Sequence, residues 1–462
     1  MANPTIASVT LNDLPQELLE VVIDLLPQNP VFLRALALVG KRWVRRCQER
    51  LFERLTLSSQ QTERWTRPLS EHQPSFFSYV RALTLRGVYP PDWRNPSFRR
   101  YMSCFADRGG SNSSGRDREQ EPCRVHTLRL LDCSVDLDGE VISQVLGPLR
   151  SSVRTVIMGS VSIPSVMEVR PFFCLFSELR NVHIPGPQFS SAVPHGDSRF
   201  AKQYILPPLN GELKLLFLYH GVEGVLSSLS KLPLRFRSIT VSPPNGKCDL
   251  EINKILIVCG ETVKTFDVKR MKLGASLPSA HNFPHQDPDQ PNLSDVQVLR
   301  PITLSPCTNL EEIRIGLRDS RDPGPGTIHL FDSVTSPHLS RIVLHFVVPL
   351  NSRKMDSNMY LDDWTGVDQS LYRLAERLRA MRESRLLDSK PNWTEPRKKE
   401  EVKRLKVFIE ARFLFVRLTA QKVDLGSFLS KFREVGDVVF IPQKIRTPND
   451  EESDGLLTSP TF

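Results

Sequence analysis

The sequence predicts an α/β protein in which a three-helix N-terminal unit precedes an irregular solenoid with a curved parallel sheet. Two observations lead to this prediction. The first fifty or so residues contain three short helical segments that are rich in apolar residues. The rest of the chain repeats one six-residue pattern, with apolar residues at its first, fourth and sixth positions. Such a pattern favours short strands that line up side by side.

Prolines and a glycine mark out the N-terminal helices. Pro15 suits a first helical position, where its missing N–H costs nothing, and Pro27 ends the first helix. Gly40 separates the second helix from the third. The first two helices carry an apolar arc wider than the roughly 100° that one packed face needs, whereas the third has apolar residues on one side and basic residues outside. A unit of about 45 residues is marginal on its own, so this surface either packs onto the rest of the chain or docks a partner.

The spacing of these apolar residues resembles the F-box. The resemblance covers roughly residues 11–55, from Leu14-Pro15 to Leu51-Phe52. The whole chain is similar to the fungal F-box proteins with divergent leucine-rich repeats. The resemblance implies a unit that docks on the Skp-family adaptor of a cullin-RING (SCF) ubiquitin ligase. The adaptor-binding positions that match the family are Leu14, Pro15, Leu18, Ile23, Leu36, Val39 and Trp43.

The repeated pattern follows from residue 55 onward. Its strand cores begin at Leu55, Leu83, Leu128, Val156, Val182, Leu216, Ile239, Phe266, Ile313, Ile342 and, more weakly, at Val407 and Val438. Most steps are close to the period of a leucine-rich repeat, in which each unit buries its apolar face only against its neighbours. An ordinary doubly wound α/β domain is the alternative, although its strands need no common motif. Polar residues inside the motifs, such as Arg129, His183, Asp267 and Arg314, are expected on the outer face of the sheet.

Four segments interrupt or end the repeats. A polar loop covers Gly109–Gly115, and a proline-rich insertion covers Pro278–Pro291. His281, His285, Asp287 and Asp289 of this insertion could be a metal cluster, but among prolines they are expected to form a solvated loop. A long amphipathic helix at about Asp363–Leu387 precedes the charged linker Asp388–Glu401. The domain prediction is therefore 11–55 for the F-box, 56–446 for the solenoid and 447–462 for a disordered acidic tail.

Composition places the protein in the cytoplasm, the nucleus or both. The 8 cysteines are dispersed and none forms a CxxC pair, which favours reduced thiols. We expect no transmembrane helix, no membrane partner and no secretory signal in Met1–Thr10. The net charge is +9, but the basic residues are spread along the chain. Nucleic acid is therefore an unlikely partner, and acidic proteins are favoured.

The chain contains none of the motifs of nucleophile elbows, phosphate loops, zinc proteases or dinucleotide sites. We therefore expect no catalysis and no cofactor. Besides an enzyme on an α/β fold, which no motif supports, two functions remain. The first is a substrate receptor of an SCF-type ubiquitin ligase, with the repeats holding an unknown protein substrate. The second is a leucine-rich-repeat scaffold whose N-terminal unit mediates assembly without degradation.

Overall fold

The computed structural model describes residues 14–26, 29–59, 75–105, 124–134, 139–159, 161, 169–185, 209–216, 226–227, 229–231, 234–242, 247–271, 301–317, 324–348, 364–388, 404–413 and 429–442. The polar loop at 109–115, the proline-rich insertion with its histidines and aspartates, nearly all of the charged linker and the C-terminal tail lie outside these residues. The chain divides into two compact units, Met1–Pro208 and Leu209–Phe462.

Three helices open the first unit, as the sequence predicts. They are α1 (Gln16–Leu25), α2 (Pro30–Val39) and α3 (Lys41–Phe52). The Asn29 side chain begins α2 by accepting hydrogen bonds from the backbone N–H groups of Val31 and Phe32, and Pro30 occupies the first turn. Pro15 differs from the prediction by one position, because it precedes α1 as its N-cap residue.

The strands form a twelve-stranded parallel sheet in which strand order follows chain order. In the first unit they are β1 (Arg54–Ser58), β2 (Ala82–Arg86), β3 (Thr127–Leu131), β4 (Thr155–Gly159) and β5 (Asn181–Pro185). In the second unit they are β6 (Glu212–Leu216), β7 (Ser238–Val241), β8 (Thr265–Met271), β9 (Glu312–Leu317), β10 (Arg341–Val348), β11 (Lys406–Phe413) and β12 (Asp437–Pro442). This order requires each chain segment between strands to return to the start of the next strand.

Helices occupy many of these return segments. In the first unit they are α4 (Pro90–Arg94), α5 (Pro96–Ser103), α6 (Gly139–Leu146) and α7 (Val169–Cys174), with 3₁₀ turns at Ser75–Tyr79 and Gly147–Leu149. In the second unit they are α8 (Lys247–Cys259), α9 (Gly324–Asp332), α10 (Thr365–Asp388) and α11 (Phe432–Val435), with a 3₁₀ turn at Gly260–Thr262. The long helix expected at about Asp363–Leu387 is α10, within two residues of the prediction.

The strand register of the first unit follows the sequence motif. Leu55 pairs with Leu83, Leu83 with Leu128, and so on through Val156 to Val182. The apolar residues three positions before the cores are also buried, as at Val80, Val125, Val153 and Leu179. Each repeat therefore places three apolar side chains in the core. A fully buried aliphatic side chain contributes roughly 1.5–3 kcal/mol, so each repeat adds several kcal/mol of apolar burial to the core.

The second unit follows the same register with one correction. The sixth strand core, predicted to begin at Leu216, begins at Leu213, because Leu213 pairs with Ile239 and Leu215 with Val241. The local sequence LKLLFL offers apolar residues in both registers, so alternation alone does not choose between them. The other cores pair as predicted, from Ile239 through Phe266, Ile313, Ile342 and Val407 to Val438.

The turns after β2 and β3 share a left-handed backbone conformation. Gly87 and Asp132 both have positive φ, at 62° and 53°. Cys133, which follows Asp132, is buried and its Sγ donates to the carbonyls of Leu85 and Leu131, each at 3.2 Å. The thiol thereby ties neighbouring repeats together. This is the position at which the sequence comes nearest to the polar residue that regular repeats place after the strand.

Candidate functional site

The three N-terminal helices share a small core. It consists of Leu19 and Ile23 from α1, Leu33 from α2, and Trp43 and Cys47 from α3. Leu14, Leu36, Ala37 and Leu51 pack against it and are partly buried. With so few buried side chains, most of the apolar surface on α1 and α2 is left outside the core.

That remaining surface is exposed to solvent. On α1, Leu18, Val21 and Leu25 follow the i, i+3, i+7 spacing of one helix face. On α2, Val31 and Leu38 are seven residues apart, as are Phe32 and Val39. Their exposed fractions are Leu18 50%, Val21 51%, Leu25 80%, Val31 72%, Phe32 43%, Leu38 88% and Val39 63%. We refer to these seven residues as the apolar docking face. Isolated exposed leucines are ordinary, but a concentration of this kind marks an interaction surface.

The seven positions that match the F-box divide by burial. Pro15, Leu18 and Val39 are exposed, and Leu14 and Leu36 are partly buried at the edge of the core. Ile23 and Trp43 lie within the core, with exposed fractions of 0% and 2%. The structure therefore places five of the positions where a partner could touch them and two where they hold the helices together.

Three arginines of α3 donate hydrogen bonds to α1 and to the residues at its two ends. Near the start of α1, the Arg42 guanidinium donates to the Leu14 carbonyl at 2.8 Å. Near its end, Arg46 donates to both carboxylate oxygens of Asp24, at 2.9 and 2.6 Å. Beyond it, Arg50 donates to the carbonyls of Ile23, Asp24 and Leu26 at the helix end, where the Ile23 carbonyl also accepts from the Leu26 N–H.

These contacts set the local electrostatics. The hydrogen bond from Arg46, with further attraction from Arg50, lowers the pKa of the Asp24 carboxyl below its usual value. Glu49 is also paired with Arg46, at 2.8 Å, and the guanidinium lowers its pKa although burial acts in the opposite direction. Burial raises the pKa of the Cys47 thiol, which favours its neutral form. The helices are thus held by charge pairs on one side, while the docking face is uncharged.

Sequence reasoning missed two features of this site. It gave the arginines of α3 no partner, yet Arg42, Arg46 and Arg50 recur at every fourth position and so share one side of the helix. That spacing is the sequence signal from which a shared contact of the three arginines could have been predicted. It also gave no role to Val31 and Leu38, because α2 is apolar nearly all round and its periodicity does not show which face is buried.

The polar motif residues expected on the outer face of the sheet are half-buried. Arg129 and His183 lie in the first unit, and Asp267 and Arg314 in the second. Arg314 pairs with Glu312 of its own strand at 3.1 Å. Burial raises the pKa of the Asp267 carboxyl, although Lys269, His345 and Arg314 act against this shift.

The described residues contain no group of three or more histidine, cysteine, aspartate or glutamate side chains that could hold a metal ion. The cysteines in these segments are free thiols: Cys47, Cys104, Cys133, Cys174, Cys259 and Cys307. Nor does any helix in this part of the chain combine the length and hydrophobicity needed to cross a membrane.

No protein-family model matches the chain. A search of curated proteins also found no match.

Proposed function

We propose that the protein is the substrate-recognition subunit of an SCF-type ubiquitin ligase. The observation that carries the proposal is the apolar docking face, seven large apolar side chains exposed on two adjacent helices within the first forty residues. A surface of this kind is costly to leave in water, and a stable partner removes that cost. The resemblance of the same helices to the F-box supports a Skp-family adaptor, bound to a cullin, as that partner.

The burial pattern separates the residues that would contact the adaptor from those that keep the helices packed. Leu18 and Val39, with Pro15 beside them, supply contact area, and Leu14 and Leu36 form the edge of the interface. Ile23 and Trp43 act indirectly by keeping the helices packed. The arginine contacts of α3 fix the orientation of α1, so the docking face is already organised before binding.

The repeats supply recognition. A protein substrate held on the sheet would be presented to the ubiquitin-carrying subunits at a high local concentration, and the chemistry would belong to those subunits. The chain then needs no nucleophile, metal or cofactor of its own.

The test is co-expression of the full chain with a Skp-family adaptor, followed by affinity capture. The double variant Leu18→Glu/Val39→Glu places two charges on the docking face and should abolish stoichiometric capture. Ile257→Glu/Val258→Glu is the matched control, because these α8 residues are apolar and exposed to similar extents, 67% and 42%.

Circular dichroism of both variants checks that the helices stay folded. Capture of the wild type and the control, but not of the docking variant, is the expected result. Absence of capture by the folded wild type would overturn the proposal. Equal capture by all three proteins would also overturn it, because the docking face would then not be the binding surface.

A further inference from the structure

A single residue joins the N-terminal helices to the first strand of the repeats. Helix α3 ends at Phe52 and β1 begins at Arg54, and Glu53 between them keeps a helical backbone, with φ −53° and ψ −37°. The Glu53 carbonyl accepts hydrogen bonds from the backbone N–H groups of Arg81 and Ala82, at 2.8 and 2.9 Å. The helices and the repeats are therefore connected without a linker.

The same forked hydrogen bond connects the repeats of the first unit to one another. Between β2 and β3, β3 and β4, and β4 and β5, the residue before one strand accepts from two consecutive N–H groups at the start of the next strand. The acceptors are the carbonyls of Arg81, His126 and Arg154, at distances of 2.8–3.1 Å. Glu53 thus belongs to α3 by its backbone conformation and to the repeats by its hydrogen bonds.

Side-chain packing extends this junction into the repeats. Helix α3 packs against β1 and against the 3₁₀ turn Ser75–Tyr79. Phe77 of this turn is buried, and its ring meets the rings of Tyr101 and Phe105 edge to face, with centroids 5.4 and 5.0 Å apart. Tyr101 lies on α5, the helix between β2 and β3, so the packing runs from α3 to the return segment of the next repeat.

The first and last strands of the sheet differ in burial. In β1, Leu55 and Leu57 are only 7% and 2% exposed, although β1 is the first strand. In β12, the last strand, the core residue Val438 is partly buried and Val439 is 37% exposed. Each unit of a repeat array is stabilised by its neighbours, and its end units need a cap. Helix α3 provides such a contact for β1.

We propose that the N-terminal helices and the first repeats form one cooperative folding unit, in which α3 caps the sheet, so that a partner bound to the helices also stabilises β1 to β3. The cooperative unit does not depend on the proposed function, but the effect of the adaptor rests on it. By linkage, a protein held on these strands would in turn strengthen adaptor binding. Docking and recognition are then coupled through the fold of the chain, without contact between the two partners.

Buried cysteines can report the opening of each region. Cys47 lies in the core of the N-terminal helices, Cys133 is bonded to β2 and β3, and Cys259 and Cys307 lie in the second unit, all at most 2% exposed. Burial raises the pKa of Cys133 to about 11 and the pKa values of Cys259 and Cys307 to about 12. Their reaction with iodoacetamide therefore requires local opening, and pulse labelling of the full chain with mass spectrometry measures it for each thiol.

The first variant weakens the helices without touching the repeats. Leu33→Ala removes a buried side chain of α2 from the core of the helices. It should accelerate the labelling of Cys47 by about tenfold or more and that of Cys133 by a similar factor, while Cys259 and Cys307 change by less than about twofold. Leu33→Val is the milder variant and should give the same order of effects if the alanine variant does not fold. Acceleration of Cys47 alone would overturn the inference, and so would equal acceleration of all four thiols.

Leu330→Ala is the matched control, because Leu330 is equally buried but lies on α9 of the second unit. It should accelerate the labelling of Cys307, whose segment is hydrogen-bonded to the end of α9. Cys47 and Cys133 should stay within about twofold of their wild-type rates. Acceleration of Cys133 to the same extent as by Leu33→Ala would contradict a local unit formed with the N-terminal helices.

Addition of a purified Skp-family adaptor separates this inference from the proposed function. The adaptor should slow the labelling of both Cys47 and Cys133 in the wild type, and of neither in Leu18→Glu/Val39→Glu. Slower labelling of Cys47 alone would overturn the coupling and leave the docking proposal standing. Absence of adaptor binding would overturn the docking proposal, whereas the result with Leu33→Ala would still decide whether the helices and the repeats are coupled.

Discussion

Asp249 on α8 has a carboxyl oxygen, Oδ1, that is out of solvent and without a hydrogen-bond partner among the described residues. Burial raises the pKa of this carboxyl to about 6. Because the folded-state pKa lies above the ordinary value of 3.8, the protonated form is favoured in the folded protein. The stabilisation that the protonated Asp249 carboxyl provides is fully present below pH 3.8 and is lost as the pH rises through about 6.

Asp249→Asn should therefore stabilise the protein at pH 7.5 by about 1 kcal/mol and have little effect near pH 4. Denaturant unfolding of the wild type and the variant at both pH values measures this difference. Asp24→Asn is the control of opposite sign, because the pKa of Asp24 is lowered by Arg46 and its replacement should cost stability at pH 7.5. Equal effects of Asp249→Asn at the two pH values would contradict a raised pKa for the Asp249 carboxyl.

The helices of this protein show which properties of an element the sequence determines. The bounds of α1, α2 and α3 follow from proline, asparagine and glycine, which act through local backbone chemistry. Side-chain partners depend on how helices are packed together. The contacts of Arg42, Arg46 and Arg50 with α1 therefore did not emerge from composition, and neither did the burial of Ile23 and Trp43 at positions that the resemblance assigns to the adaptor.

A similar contact joins two elements in the second unit. The carboxylate of Asp368 on α10 accepts hydrogen bonds from the backbone N–H groups of Lys431 and Phe432, at 3.0 and 2.8 Å. These groups lie at the start of α11, just before β12. Asp368 is itself buried, so the carboxylate and the two N–H groups depend on one another.

Asp368→Ala should loosen α11 and β12, at a cost of about 1–3 kcal/mol, because it leaves the buried N–H of Phe432 without an acceptor. Amide hydrogen exchange should increase in residues 429–442 and stay unchanged in β7 and β8. Glu376→Ala, an exposed position on the same helix, is the control and should leave exchange at its wild-type level. Unchanged exchange in residues 429–442 of the Asp368 variant would show that the strand pairing of β12 alone holds this segment.

For the molecule as a whole, the repeat was predictable because its three apolar positions recur with most strands. Eleven of the twelve strand cores pair in the predicted register, and the exception, β6, lies where the sequence LKLLFL is apolar in two registers. The docking face was predictable as a surplus of apolar surface but not residue by residue.

In the proposed function the N-terminal helices dock the adaptor and the repeats hold the substrate, so the two activities should be separable. In cells that express the chain, Leu18→Glu/Val39→Glu should still capture the proteins that bind the repeats, because those side chains lie on α1 and α2. The half-lives of the captured proteins should nevertheless lengthen severalfold, since the partner is no longer held near the ubiquitin-carrying subunits. Crosslinking followed by a translation-arrest chase measures capture and half-life in the same cells.

Two comparisons distinguish a ligase receptor from a non-degradative scaffold. Ile257→Glu/Val258→Glu should leave both capture and half-life at wild-type values, which controls for charge introduced on an exposed helix. Inhibition of cullin activation should lengthen the half-lives in wild-type cells and add nothing in cells with the docking variant. If the captured proteins have the same half-life in every case, the N-terminal helices assemble the protein with a partner for a purpose other than degradation, and the scaffold is the correct description.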